Sequence, residues 1–421
     1  LFLFYGKKIH AAQIAPRRRA CCCHLLDGAA QAQQSSENSD TREIVVTGRS
    51  LKDTSDALAA CLARDCPPDE DVAASLAHAE NLFVGGDYDK ARTTLLRSVS
   101  RNRKHVQAYP VPVSDLFRAN SRIAQHTGEA KNFQLSVLDM RDTLKKGVGE
   151  DDPRTLVAQI EVGDSRAKLG FPDEAERIYR DVGKRAVALN EPRVAMFARL
   201  RGAILKYSIA EDLNSVQEKK EGRAQLEDII NNPLPGATEF SLAARVMLAR
   251  ADRKDGRTDT TADIVREFTE NGGATRPILL FSEPIKRIDM TSNAGDGQAP
   301  GNTTSRLTSL DASDQWADVG FWVNPDGRVS DVEVLRGKGP RTWLKPVYEH
   351  LNGRVYAPLK KDGNDGAPGF YMIERYTLTA RFVNDTTGSR IRRREATPRI
   401  ERLDITPEDY SAPKEVATAG R

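Results

Sequence analysis

The sequence predicts an array of helical hairpins followed by a small α+β sheet module. Three observations predict it. Turn glycines recur at Gly86, Gly128 and Gly170, each 42 residues after the one before. The runs flanking these glycines carry apolar residues at helical spacing. From Val319 onward the pattern becomes strand-like alternation around Asn324-Pro325-Asp326-Gly327, a hairpin signal.

Residues 1–32 read as an irregular export signal. Arg17, Arg18 and Arg19 precede Ala20-Cys21-Cys22-Cys23-His24-Leu25-Leu26, and Ala30-Gln31-Ala32 forms a small-x-small cleavage pattern before Gln33. His24 and Asp27 interrupt the apolar region. Five basic residues against one acid in this segment exceed the whole net charge of +3, so the remaining chain is close to neutral. A near-neutral body gives no case for nucleic-acid binding. No apolar run of about 18 residues exists to span a bilayer.

Residues 33–67 read as a flexible segment ending in a short helix, Ala57–Cys66, before Pro67-Pro68. Within it, Glu43-Ile44-Val45-Val46-Thr47-Gly48 is a β-prone island. It resembles the TonB box, the extended N-terminal peptide of outer-membrane receptors. That resemblance implies binding by strand addition to a sheet edge. A short edge strand or an unstructured tag reads equally from the same six residues. In an exported protein, Cys61 and Cys66 are expected to form a disulfide that staples the short helix to the start of the first repeat. The Cys-x-x-Cys spacing of redox motifs is absent, and the triple cysteine Cys21-Cys22-Cys23 has no matching His or Cys elsewhere to complete a metal site.

The array spans residues 68–272. Val72, Leu76, Ala79, Leu82 and Phe83 lie before Gly86. Ala91, Leu95, Leu96 and Val99 lie after it. Such a hairpin cannot bury its stripe alone and needs a neighbour. The next periods land on Asp212 and near Gly256. Leu169-Gly170-Phe171-Pro172-Asp173-Glu174-Ala175, followed by Tyr179 and Val182, is the clearest copy. Ala79, Gly163 and Ala249 supply small residues where two helices must approach. Tyr109-Pro110-Val111-Pro112-Val113 reads as a rigid break between the first two repeats. The pattern resembles the tetratricopeptide repeat (TPR) in a 42-residue variety, with Phe133 in the second repeat where the family has alanine.

The TPR resemblance implies a concave face made by the first helix of each pair. It places Arg118, Arg122, Gln125 and His126 there from the second repeat, and Asp164 and Lys168 from the third. Arg199 and Lys206 come from the fourth repeat, and Arg250, Arg253 and Lys254 from the fifth. This stripe is mostly basic. Guanidinium forks match carboxylates, so the implied partner is an acidic or carboxylate-ended protein or peptide. The same residues also suit an ordinary solvated helix face.

The second module covers residues 276–384, with 291–313 as a loop or linker rich in small polar residues. Val319, Phe321 and Val323 alternate before the turn, and Val329–Leu335 returns. Trp343, Leu344, Val347 and Leu351 have helical spacing, closed by Asn352-Gly353. Tyr376, Leu378, Ala380 and Phe382 alternate with Arg375, Thr377, Thr379 and Arg381. The order is β-β-α-β. Val319–Val334, Arg354-Val355-Tyr356-Ala357-Pro358 and the segment from Pro277 are similar to the C-terminal domain of TonB-type energy transducers. That resemblance implies that the last strand, Ile373–Phe382, offers its edge to a receptor's box peptide through Ile373, Arg375, Thr377, Thr379 and Arg381. A purely structural edge is the other reading. This sequence shows neither the membrane anchor nor the Pro-rich spacer of those transducers, so the module reads as a binding domain of that fold. Residues 385–421 read as a polar tail, with a short strand around Ile400–Ile405 as the alternative to a tail without structure.

No HExxH, GxSxG, Walker loop or GxGxxG is present, and no two of the six histidines stand at a ligand spacing. The expectation is a non-enzymatic periplasmic interaction protein without cofactors. Alternatives are an accessory of TonB-dependent outer-membrane transport, or self-assembly through residues 43–48.

Overall fold

A computed structural model describes residues 50–213, 215–286, 315–360, 369–380, 382–383, 393–394 and 398–406. The expected export segment, the island at 43–48, the loop at 291–313 and Arg381 lie outside the described residues.

The first part is a succession of helices packed in sequence order. Helix α1 (Leu51–Ala63) packs on α2 (Pro68–Val84), which pairs with α3 (Tyr88–Asn102). The next pairs are α4 (Pro110–His126) with α5 (Ala130–Val148), and α6 (Pro153–Lys168) with α7 (Pro172–Ala188). Then come α8 (Pro192–Asp212) with α9 (Val216–Asn231), and α10 (Glu239–Lys254) with α11 (Asp259–Glu270). Neighbouring pairs share apolar clusters, so each pair buries the face that the previous one leaves open.

The repeated glycines have one mechanical job. Gly86, Gly128, Gly170 and Gly256 all have φ between +78° and +89°. At each turn the amide after the glycine donates back across the helix end: Asp87 to Leu82, Glu129 to Ala124, Phe171 to Arg166 and Arg257 to Asp252. This is a Schellman closure, and only glycine takes its left-handed residue without a Cβ penalty. Small residues also sit where expected: Gly163 lies under the Tyr179 ring, with no room for a Cβ.

Two local expectations need correction. Pro110 and Pro112 do not break the chain between repeats; they lie in the first turn of α4. The first amides of a helix have no intrahelical acceptor, so proline is accommodated there. The short N-terminal helix also starts earlier than Ala57. Ser50 caps it, accepting from the Asp53 amide while Asp53 accepts from the Ser50 amide. That reciprocal capping box was legible as Ser-x-x-Asp. Cys61 and Cys66 form a disulfide between the end of α1 and the turn before α2, with Cα atoms 5.2 Å apart.

The second part is built on a four-stranded antiparallel sheet. Its strands are β2 (Gln315–Val323), β3 (Val329–Lys338), β5 (Phe370–Thr379) and β8 (Arg399–Asp404), in the spatial order β3-β2-β5-β8. Two short strands, β1 (Leu279–Phe281) and β4 (Val355–Tyr356), pair beside it, and β6 (Phe382–Val383) pairs with β7 (Arg393–Arg394). Helix α12 (Lys345–Asn352) covers one sheet face. Val319, Phe321, Val323, Tyr376 and Leu378 meet Trp343, Leu344, Val347 and Leu351 there. The module therefore extends past residue 384: part of the expected polar tail supplies β8.

The other sheet face is covered by the helical array. Trp316 of β2 joins the cluster of Val72, Leu82, Phe83, Leu95 and Leu116. A Cβ on Gly86 would lie 2.6 Å from the Trp316 ring. Gly86→Ala should therefore destabilise the protein by more than the backbone strain alone, about 1–3 kcal/mol. Thermal unfolding of Gly86→Ala and Gly170→Ala checks this. Gly170 has the same backbone and open space around it, so it isolates the strain from the clash.

Candidate functional site

The sheet module meets the array at the C-terminal ends of the first helices of the pairs. Arg375 of β5 is the centre of this junction and is fully buried. Its guanidinium donates through Nε and Nη2 to the two carboxylate oxygens of Asp318, the residue opposite it on β2. It also donates to the Phe83 carbonyl at 2.8 Å and to the Val84 carbonyl, the last two of α2. The Phe83 carbonyl also accepts from the Gly86 amide, and a cation complements the negative end of the helix dipole. The Tyr88 hydroxyl accepts at 3.4 Å, and the Trp316 ring stacks 3.8 Å from the guanidinium carbon. Burial opposes the charge, but Asp318 more than offsets it and the pKa is raised.

Around this pair the contact continues. The Thr377 hydroxyl shares hydrogen bonds with the Tyr88 hydroxyl at 3.1 Å and with His126 Nε2. The His126 ring packs edge-on against Phe83 and Tyr88. Arg399 of β8 donates to the Gln125 carbonyl at the end of α4. At the far end of the array, Arg250 of α10 donates to the Leu279 and Leu280 carbonyls of β1, and Arg253 stacks 4.3 Å over the Phe281 ring. Burial, with Arg402 nearby, pushes the Arg250 guanidinium down to about 10.

The expected basic stripe is thus largely answered within the chain. Arg118 pairs with Asp115 and with Glu161 of α6. Lys168 faces Asp164 and Glu401, and burial pulls its pKa down. Arg199 and Lys206 turn to α9, pairing with Asp228 and Glu221, so they do not share a face with Lys168. Lys254 pairs with Glu211 of α8. The α8 residue that does reach α6 is Arg201, which binds Asp164 and is buried. Sequence reasoning missed it because a one-residue error in helix phase turns a side chain by about 100°. Arg122, one turn beyond Arg118, is partly exposed and makes no hydrogen bond among the described residues; burial of its guanidinium lowers its pKa, with Glu161 and Asp115 nearby opposing that shift.

The expected free edge is also corrected. Ile373, Arg375, Thr377 and Thr379 lie on an interior strand, with β2 on one side and β8 on the other. Arg375, Thr377 and Thr379 are buried at the junction or beneath β8 instead of facing solvent. The reason is that Arg399–Asp404 supplies a strand which backbone pairing favours over leaving β5 unpaired.

A second buried network lies on the α12 face. Arg354 donates to both oxygens of Glu374, at 2.8 and 3.0 Å, and to the hydroxyls of Tyr356 and Tyr376. It also donates to His350 Nε2, which leaves His350 Nδ1 to donate to the Glu283 carbonyl. Among the described residues, one grouping brings three metal-ligating residues together, Cys61, Cys66 and Glu70, and its two sulfurs are bonded to each other.

Two predictions follow from this geometry. Arg375→Met leaves buried Asp318 with only the half-exposed Arg336 and removes the side-chain donor from the Val84 carbonyl, and should cost about 3–5 kcal/mol in urea unfolding. The second concerns acid. Burial and the charges of Arg375 and Arg399 push His126 from 6.5 down to about 3. Burial and the charge of Arg354 push His350 from 6.5 down to about 4. The unfolded chain therefore binds these protons first. The stability they carry is complete above pH 6.5 and is lost as pH falls towards 4 and then 3. His126→Gln should flatten the stability–pH slope below pH 6 by up to about 1.4 kcal/mol per unit.

No protein-family profile matches the chain, and no curated protein sequence matches it. Solved structures similar to it are TPR-like repeat proteins. A kinesin light chain of Podosopora anserina with nearly identical TPR-like repeats aligns over 42% of this chain and 84% of its own, at 14% identity and a TM-score of 0.34. BtubC (BKLC) from P. vanneervenii aligns over 57% of this chain and 96% of its own, at 14% identity and a TM-score of 0.41. The Rap conjugation gene regulator of the plasmid pLS20, solved with the Phr* peptide, aligns over 48% and 58%, at 16% identity and a TM-score of 0.29.

Proposed function

We propose that this chain is a non-enzymatic periplasmic interaction protein whose helical array and sheet module act as one scaffold for extended polypeptide. The observation that carries this reading is the junction itself. Helix ends from the first and second pairs hold the four-stranded sheet, and the fifth pair holds β1 of the smaller one, through backbone carbonyls, hydroxyls and cations. A surface that answers strand backbone and alternating side chains within the chain has the chemistry to do so for a partner.

Export is supported by the small-x-small pattern at Ala30-Gln31-Ala32 and by the Cys61–Cys66 disulfide, since such bonds persist in oxidising compartments. Among the described residues no helix is long and apolar enough to cross a membrane. The β-β-α-β order of β2, β3, α12 and β5 supports a TonB-like module, although its last strand is paired on both sides.

Among the described residues of the basic stripe, Arg122 has no hydrogen-bond partner, only the nearby charges of Glu161 and Asp115, and is the contact assigned to an acidic partner. A displayed library of acidic, free-carboxylate peptides should yield binders that lose about tenfold in affinity on Arg122→Glu, a change of about 1.4 kcal/mol. Binders indifferent to Arg122→Glu would move the contact away from α4. A library with no binders, beside turnover in a hydrolase substrate screen, would overturn the scaffold reading.

A further inference from the structure

The turn between α1 and α2 gathers Cys61, Cys66 and Glu70, and its backbone holds them together independently of the disulfide. The Cys66 amide donates to the Cys61 carbonyl at 3.1 Å, and the Asp65 amide donates to the Leu62 carbonyl at 3.3 Å. Asp65 stands at φ +53°. This is a Schellman closure of α1, and the motif brings two side chains into contact across the helix end, here those of Cys61 and Cys66. Pro67 and Pro68 then lead with fixed φ into the first turn of α2, where Glu70 lies. The two sulfurs and a Glu70 carboxylate oxygen lie within 4.8 Å of one another. A disulfide across so short a loop gains little from chain entropy, and hydrogen bonds already close this loop. An apolar pair would serve the helix end as well, so stability alone gives no strong reason for cysteine at both positions.

The donor set supplies a reason. Thiolates are soft ligands, and two of them with a carboxylate suit a tetrahedral ion such as Zn²⁺. Two Zn–S bonds of about 2.3 Å at a tetrahedral angle hold the sulfurs about 3.8 Å apart. Rotation of two cysteine side chains reaches that separation over Cα atoms 5.2 Å apart. Arg64 donates to Oε2 of Glu70, which leaves the second carboxylate oxygen for a cation. Two thiolates and a carboxylate carry three negative charges, and a divalent ion together with Arg64 offsets them. Cys66 is half-buried and Glu70 is exposed, so a fourth position is open to water.

We propose that Cys61, Cys66 and Glu70 form a redox-gated site for a thiophilic divalent cation, closed as the disulfide and opened by a dithiol reductant. In the opening step the dithiol gives two electrons and two protons to the Cys61–Cys66 bond and itself becomes a disulfide. Zn²⁺ then displaces both thiol protons to water and takes Glu70 as its third protein ligand, with water as the fourth. The Schellman turn keeps the three ligands together in both states, so little ordering opposes binding. This site lies on the α1–α2 turn and not on α4, so it goes beyond the interaction reading, and either can fail alone.

The test uses the full chain carrying Cys21→Ser, Cys22→Ser and Cys23→Ser, so that Cys61 and Cys66 are its remaining cysteines. Co²⁺ is the spectroscopic probe and Zn²⁺ the competitor. After anaerobic reduction the chain should take up one Co²⁺, with a thiolate-to-cobalt charge-transfer band in the near ultraviolet and the visible absorption of a tetrahedral ion. One equivalent of Zn²⁺ should displace it. The oxidised chain should show neither band. Cys61→Ser with Cys66→Ser should abolish the charge-transfer band. Glu70→Gln should weaken Zn²⁺ binding at least about tenfold, a loss seen even for outer-shell partners of a metal. A reduced chain with no charge-transfer band overturns the proposal, whether or not any variant folds. Equal Zn²⁺ binding by the oxidised and reduced forms also overturns it, as an adventitious ion only. Unchanged affinity in Glu70→Gln overturns the three-residue site, because the two thiolates alone then hold the ion.

Discussion

A guanidinium with no water around it must have every donor answered by protein, and Arg375 does. Two donors go to Asp318, one each to the Phe83 and Val84 carbonyls, and one to the Tyr88 hydroxyl. That single requirement sets several things at once. It pins the register of β5 against β2, because Asp318 must stand opposite. It sets where α2 ends, and it holds the start of α3. The sheet cannot slide along the array without leaving a buried charge unpaired, a larger penalty than any one apolar contact there. Trp316 and Gly86 then follow as packing consequences of a position already determined.

Much of the architecture was readable before any coordinates. The 42-residue spacing of turn glycines is a backbone requirement, and backbone requirements write themselves into residue identity. The same holds for alternation in β2 and β5 and for the helical spacing of α12. The functional surface was less readable, for a physical reason. A basic residue at helical spacing announces its charge but not its counter-ion. Glu161, Asp164, Glu211 and Asp228 are ordinary helix residues in sequence, and only the stacking of pairs brings them to Arg118, Arg201, Lys254 and Arg199. Arg375 shows the same limit: alternation put it on the correct side of β5, but nothing local told that this side meets α2. Strand β8 was visible only as an alternative, because Arg-Ile-Glu-Arg-Leu-Asp has too few apolar residues to mark a strand unless a ready edge exists.

The two buried Arg–carboxylate pairs lie on opposite faces of one strand. Glu374 and Arg375 are neighbours in sequence, yet the first answers Arg354 under α12 and the second answers Asp318 against the array. Strand geometry sends consecutive side chains to opposite faces, so β5 couples the interior of the sheet module to the junction through a single peptide unit. Buried ion pairs add little net stability compared with apolar residues of the same shape, but they tolerate few alternative arrangements. Their effect here is to allow one register.

The Phe83–Arg375 hydrogen bond joins positions 292 residues apart. Repeat arrays ordinarily fold by local steps, each pair closing on its neighbour as it is made. This array has its first pair completed by a strand translated near the end of the chain. At ordinary elongation rates the α2 end waits about 15–60 s on the ribosome before its cation arrives. During that interval Phe83, Leu82 and the neighbouring apolar cluster are uncovered. The finished protein should therefore melt as one cooperative unit where a simple solenoid unravels from its ends.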